Sequence, residues 1–111
     1  MIVKKYHEVE KEKLTTAGVK DATIRWLIGM DSPAPNFYMR LFEVEPGGHS
    51  PFHSHEMEHE IFVVEGKGRI NTEKEPIPLE QGSFALIMPE EKHQFENVGD
   101  TTFKFLCVIP K

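Results

Sequence analysis

Cysteine is nearly absent: Cys107 is the single one in 111 residues. That excludes a disulfide framework within the chain, and a lone thiol suits a reducing compartment such as the cytoplasm. Long apolar runs are missing too. None approaches the roughly 20 residues that a membrane-spanning helix needs, and Met1-Ile2-Val3-Lys4-Lys5 opens onto no apolar stretch, so no signal peptide is expected. Positive charge is scarce. Thirteen Lys and Arg against 18 Asp and Glu leave a net charge of -5. Nucleic acid is thereby a poor candidate partner, because phosphate binding needs clustered Lys and Arg; the basic start at Lys4 and Lys5 is offset by Glu8, Glu10 and Glu12. There is no internal repeat and no low-complexity tract. The length leaves no room for a second domain, so residues 1–111 are expected to form one, burying about 65% of the unfolded surface without disulfides.

Helical periodicity is also lacking beyond a hint in the first fifteen or so residues, where 8–13 read as a helical turn or a solvated strand end. Strand signals dominate instead. Residues 22–28, 37–45, 60–65, 67–72, 83–88 and 101–109 are rich in β-branched and aromatic side chains. Between them stand turn formers: Asp31-Ser32-Pro33-Ala34-Pro35-Asn36, Pro46-Gly47-Gly48, Gly66, Glu73-Lys74-Glu75-Pro76 and Gln81-Gly82. Many short strands at regular spacing predict an all-β antiparallel sandwich or barrel.

What the chain does have is histidine in a fixed frame. His53, His55 and His59 lie within seven residues, and His93 follows 34 residues later. Neutral imidazole is the commonest protein metal ligand. In an extended segment His53 and His55 project to the same side. His59 has the same parity, but a straight strand would carry it about 13 Å from His55. Two nitrogens on one ion stand only about 4 Å apart at most, with bonds of about 2.1 Å. The chain must bend at Glu56-Met57-Glu58 if all three serve one ion.

Gly47, five residues, His53-x-His55, three residues, His59, six residues, Gly66 resembles the first motif of the cupin superfamily. Gly82, ten residues, His93, three residues, Asn97 resembles the second. The resemblance implies a double-stranded β-helix, the jelly-roll barrel, over 37–109, with a metal inside. It also implies His53, His55 and His93 as ligands. The usual fourth cupin ligand is a glutamate. Here that position holds His59 when the spacing to Gly66 is kept; Glu60 is the alternative, one residue out of frame and of opposite strand parity. The chain is most similar to small single-domain cupins with four histidines, some of them manganese proteins. A second departure precedes His93, where Pro89 is displaced by one and no glycine follows.

One divalent transition ion per chain is the cofactor so implied, manganese first and iron next, with zinc, nickel, cobalt and copper left open. Four neutral imidazoles leave the ion its full charge and, if it is octahedral, two positions for exogenous donors. The resemblance points to a metal-dependent oxidoreductase of dioxygenase or oxidative-cleavage type on a small organic substrate. The alternative is a small-ligand-binding or sensor domain without turnover, and a weaker one is an isomerase or epimerase.

Alternation also proposes residues around the site. With Lys104 facing water, Phe103, Phe105, Cys107 and Ile109 face the interior, and Phe105 and Cys107 are candidates to line the metal cavity. Arg40 shares parity with Tyr38, Phe42 and Val44. Turned inward it would bind a carboxylate; turned outward it would pair with a surface glutamate. His49 reads as an exposed turn histidine, His7 has no frame, and Asn97 reads as a turn fastener. Finally, Ile24, Trp26 and Ile28 lie on one face of the 22–28 strand and Leu27 on the other. The barrel already has enough apolar residues, so residues 1–30 are expected to pack on a partner in a two-fold homodimer.

Overall fold

The computed structural model describes residues 1–111. One short 3-10 turn, Tyr6–Glu8, precedes nine strands: β1 (Glu12–Lys13), β2 (Lys20–Ile28), β3 (Phe37–His49), β4 (His59–Glu65), β5 (Lys67–Asn71), β6 (Ile77–Glu80), β7 (Phe84–Ile87), β8 (Gln94–Asn97) and β9 (Phe103–Pro110). Pairing is antiparallel throughout. The strands run in the order β6-β5-β8-β3-β9-β4-β7, with β2 on the other flank of β3 and β1 on β2. The result is a nearly closed all-β barrel, as the strand spacing predicts, of the jelly-roll kind that the cupin resemblance implies.

β3 organises this barrel. Its first part lies between β2 and β9, and its last residue, His49, pairs with Glu96 of β8 and with Lys20 of β2. Sequence reading ends this strand at Pro46-Gly47-Gly48; the structure carries it through to His49. Glycine explains the difference. A Cβ on Gly48 would stand 2.6 Å from the Lys20 carbonyl oxygen, so only glycine lets β3 pass this close to β2. β6 and β8 are not evident in the sequence, since Pro78 interrupts one and the other has Phe95 alone among polar residues. Pro78 is tolerated because β6 is an edge strand.

Interior residues follow the alternation of β9. Phe103, Phe105, Cys107 and Ile109 are buried, whereas Lys104, Leu106 and Val108 are half-buried on the other face. They join Ala22, Val44, Ile61, Val63, Ile70, Leu79, Ile87 and Phe95 in one apolar cluster. Register corrects the reading of β2. Ala22, Ile24 and Trp26 stand opposite Val44, Phe42 and Arg40, which puts them on the inner face. A bulge between Trp26 and Ile28 then sets Ile28 opposite Met39 and separates it from that face. On that face Ala22 and Ile24 are buried, while Trp26 stays 38% exposed.

Outside the barrel, Glu43 is buried among Arg25 (3.1 Å), Lys104 (3.7 Å) and Lys11 (4.0 Å). Residues 6–9 close over it, with Tyr6 against Arg25 and Lys104 and the Val9 carbonyl accepting from Arg25. No helix is long and apolar enough to cross a membrane.

Candidate metal centre

Three separate pieces of chain deliver the histidines. His53 and His55 lie in the link after β3, His59 opens β4, and His93 stands just before β8. A reciprocal backbone pair locks the distant piece in place: the His53 amide donates to the His93 carbonyl at 3.1 Å, and the His93 amide donates back at 2.9 Å. The chain bends at Glu56 and Met57, where the spacing argument demands it. The loop before His93 is held by the Glu90 amide, which donates to the His55 carbonyl at 2.6 Å. Glu90 has φ +68°, a left-handed conformation that normally favours glycine. It occupies the loop where the usual glycine is missing.

The four rings form one cluster. Centroid separations are 4.1 Å for His53–His55, 4.2 Å for His55–His59, 5.3 Å for His53–His93 and 5.9 Å for His59–His93. Ligand nitrogens of His53, His55 and His93 lie within 4.8 Å of one another, close enough to hold a metal ion after small side-chain shifts. His59 stacks on His55 with an interplanar angle of 7°. Its Nε2 is buried and has no hydrogen-bond partner. A buried nitrogen without a partner is costly in an apolar barrel, and a metal bond would satisfy it. The donor set therefore fits an ion. Glu60, the alternative to His59, is exposed on the opposite face of β4.

Tautomers are set by neighbours. Nδ1 of His93 lies 2.8 Å from the Glu91 carbonyl, which only accepts, so Nδ1 carries the proton and Nε2 keeps its lone pair. Nδ1 of His59 lies 3.4 Å from Cys107 Sγ. Sequence reasoning does not find the Glu91 contact, because a main-chain acceptor leaves no residue-type signal.

Electrostatics favour neutral rings. Burial, then repulsion from His53, His93 and Arg40, lowers the His55 pKa to about 4. Burial, then the positive charges of His55, Arg40, His93 and His53, lowers His59 to about 3. His53 is lowered by burial and by His93. Lone pairs are thus available at neutral pH. Cys107 is pushed up by burial against the opposing influence of Arg40, so it stays a thiol.

The other candidates separate clearly. Cys107 touches His59 and also accepts from Arg40 Nη2 at 2.8 Å. Arg40 faces inward and forms no ion pair with a glutamate. Phe105 is one layer further down, packed on Phe42 and Phe95, and Phe95 meets the His93 ring edge-on. Asn97 fastens the β8–β9 turn, donating to the Val44 and Thr101 carbonyls and accepting from the Gly99 amide, each at 2.8 Å. His49 is not the exposed turn residue expected: it ends β3, half-buried, beside Gln94. Trp26 is a neighbour that sequence reading missed, because its place over Arg40 depends on the β2–β3 register.

Comparisons with known proteins agree with this architecture. The polyketide cyclase RemF from Streptomyces resistomycificus is 33% identical and superposes with a TM-score of 0.93, over 99% of this chain and 79% of that one. A predicted oxalate decarboxylase from Thermotoga maritima is 25% identical with a TM-score of 0.86, over 98% of both chains. An uncharacterized protein of Methanocaldococcus jannaschii is 29% identical over 115 residues, which is 96% of this chain and 88% of that protein. Residues 40–109 match the cupin domain family. That stretch is well over half of the sequence and holds all four clustered histidines, and the chain belongs to the cupin family.

Proposed function

We propose that this cupin is a metal-dependent enzyme acting on a small oxygenated organic molecule, with His53, His55, His59 and His93 holding one divalent transition ion. The observation that carries the reading is the buried, unpartnered Nε2 of His59 beside three imidazoles whose nitrogens converge. Manganese is the first choice and iron the second, on the resemblance to four-histidine cupins. When bound, the ion supplies Lewis acidity and open positions for oxygen donors. The chain's own residues do the rest. Glu91 and Cys107 orient the rings of His93 and His59. Phe42, Phe95 and Phe105 form an apolar floor that limits water.

Oxidative turnover, of dioxygenase or oxidative-cleavage type, is the first reading of the reaction. A second reading is Lewis-acid chemistry without net oxidation, as in a cyclisation; the likeness to a polyketide cyclase over nearly the whole chain supports it. A binding or sensor module is the reading without turnover. Oxygen uptake and product formation by the metal-loaded protein, on a panel of phenolic, enolic and dicarboxylic compounds, separate them. Product with oxygen uptake supports the oxidoreductase. Product without uptake supports the second reading. Tight binding without product rejects an enzyme.

The expected partners are small molecules and a second copy of the chain in the cytoplasm. A homodimer gains support from the outer face of the sheet, where Phe62, Phe84 and Leu86 are exposed beside Leu106 and Val108.

A further inference from the structure

Arg40 carries a charge that the fold does not balance. No ion pair in the molecule includes it. Its one hydrogen bond runs from Nη2 to the Cys107 sulfur at 2.8 Å, and a thiol is a weak acceptor. Nε is buried with no partner. Nη1 has no acceptor either, but it is not sealed off in the same way. The guanidinium lies over two aromatic rings, 5.6 Å from the centre of Trp26 and 5.0 Å from that of Phe42. Aromatic contacts of this kind hold a cation and supply no counter-charge.

Nearby acids point elsewhere. Glu43 lies on the other face of β3 with Arg25 and Lys104, and Glu60 is exposed on the outer face of β4. Arginine cannot shed its proton, so the inner site keeps its positive charge. An ion on four neutral imidazoles would add two more charges. We infer that Arg40 is the anion-binding side chain of this site and selects small carboxylates with a second oxygen donor, the carboxylate meeting the guanidinium and the second donor meeting the ion. This rests on the metal centre proposed above. The parallel N–H donors of the fork match the two oxygens of a planar carboxylate.

Pyruvate, its neutral methyl ester and inorganic phosphate are titrated into the metal-loaded full-length protein by calorimetry. Pyruvate is expected to bind, the ester at least about tenfold more weakly and phosphate more weakly than pyruvate. Arg40→Gln should weaken pyruvate about ten- to a hundredfold and abolish the preference over the ester, the range for a lost charge-assisted hydrogen bond. The variant should keep its metal, read by elemental analysis apart from pyruvate binding. Arg40→Lys should recover part of the affinity, and it decides between the outcomes if the glutamine variant does not fold. An Arg40→Gln protein that holds its metal and binds pyruvate like the parent overturns the assignment. So does a parent that prefers phosphate or the ester. A parent that takes up no metal refutes the metal centre instead. The Arg40 assignment then stands only if the metal-free parent still prefers pyruvate and loses that preference on substitution.

Discussion

Cys107 sits between a cation and a histidine, and its chemistry follows from what each neighbour can donate. Arg40 only donates, so the sulfur accepts from Nη2. If His59 offers Nε2 to an ion, its Nδ1 carries the proton and donates to the same sulfur. Cys107 then fixes the working tautomer of His59 and needs no thiolate to do so. Cys107→Ala should lower metal affinity about tenfold, as loss of an outer partner commonly does, while Cys107→Ser retains most of it; competition against a chromogenic chelator measures both. Acid should act on the same cluster. In the metal-free protein His55 and His59 have pKa values of about 4 and about 3. Above about pH 6.5 these rings are neutral in the folded and the unfolded chain. Below it the unfolded chain takes up protons that the fold refuses, so stability falls as pH drops toward 4 and returns as pH rises. Melting temperatures of the metal-free protein between pH 7.5 and 4.5 should decline along that window, and less steeply in His55→Phe. At this scale the sequence is most readable, because the spacing to Gly66 and alternation separate His59 from Glu60, and alternation turns Phe105 and Cys107 inward. The orphaned Nε of Arg40 and the Glu91 contact are not readable, since each depends on where a neighbouring main chain or ring comes to rest.

Strands and turns decide whether those residues meet. Gly66 closes the first motif with φ +87°, and a Cβ there would stand 2.5 Å from the Thr102 carbonyl oxygen. The motif spacing therefore reflects a turn that only glycine makes beside β9. Asn97 does comparable work for the second motif, joining β8 to Val44 of β3 and to the turn before β9. Asn97→Ala should cost roughly 2–4 kcal/mol, since it strips partners from several main-chain groups at once. Chemical denaturation measures that loss, and metal stoichiometry should remain unchanged. Elements are legible where hydrophobic alternation is strong, as in 60–65 and 102–109. They are obscured where special residues carry the chain through, as at Gly47 and Gly48 within β3, Pro78 within β6 and the polar Gln94–Asn97 of β8. The bulge in β2 belongs here too. A strand read without it assigns Ile28 to the face of Trp26, and the pairing with Met39 does not.

At the scale of the whole molecule, two surfaces need an explanation. The outer apolar face around Phe62, Phe84 and Leu86 lies on β4 and the edge strand β7. A two-fold copy packed there would bury it. Light scattering should give twice the 12.8 kDa of one chain, and Phe84→Glu should return it to one chain with the metal retained; a parent of single-chain mass contradicts the dimer. Trp26→Glu, the substitution that a strand needing outside cover would suggest, should instead disturb Arg40, against which the indole packs. The interior is the other surface. Its histidines come from the β3–β4 link, the start of β4 and the segment before β8, so an ion there ties distant parts of the barrel together. Binding to the folded state alone adds about 4 kcal/mol at a thousandfold excess over the dissociation constant. The most direct measurement is metal content per chain, by elemental mass spectrometry after reconstitution, for the parent and for His53→Ala, His55→Ala, His59→Ala, His93→Ala and Glu60→Gln. One ion in the parent and in Glu60→Gln, with loss in each histidine variant, is the predicted result. Full occupancy in His59→Ala together with loss in Glu60→Gln would contradict the four-histidine centre.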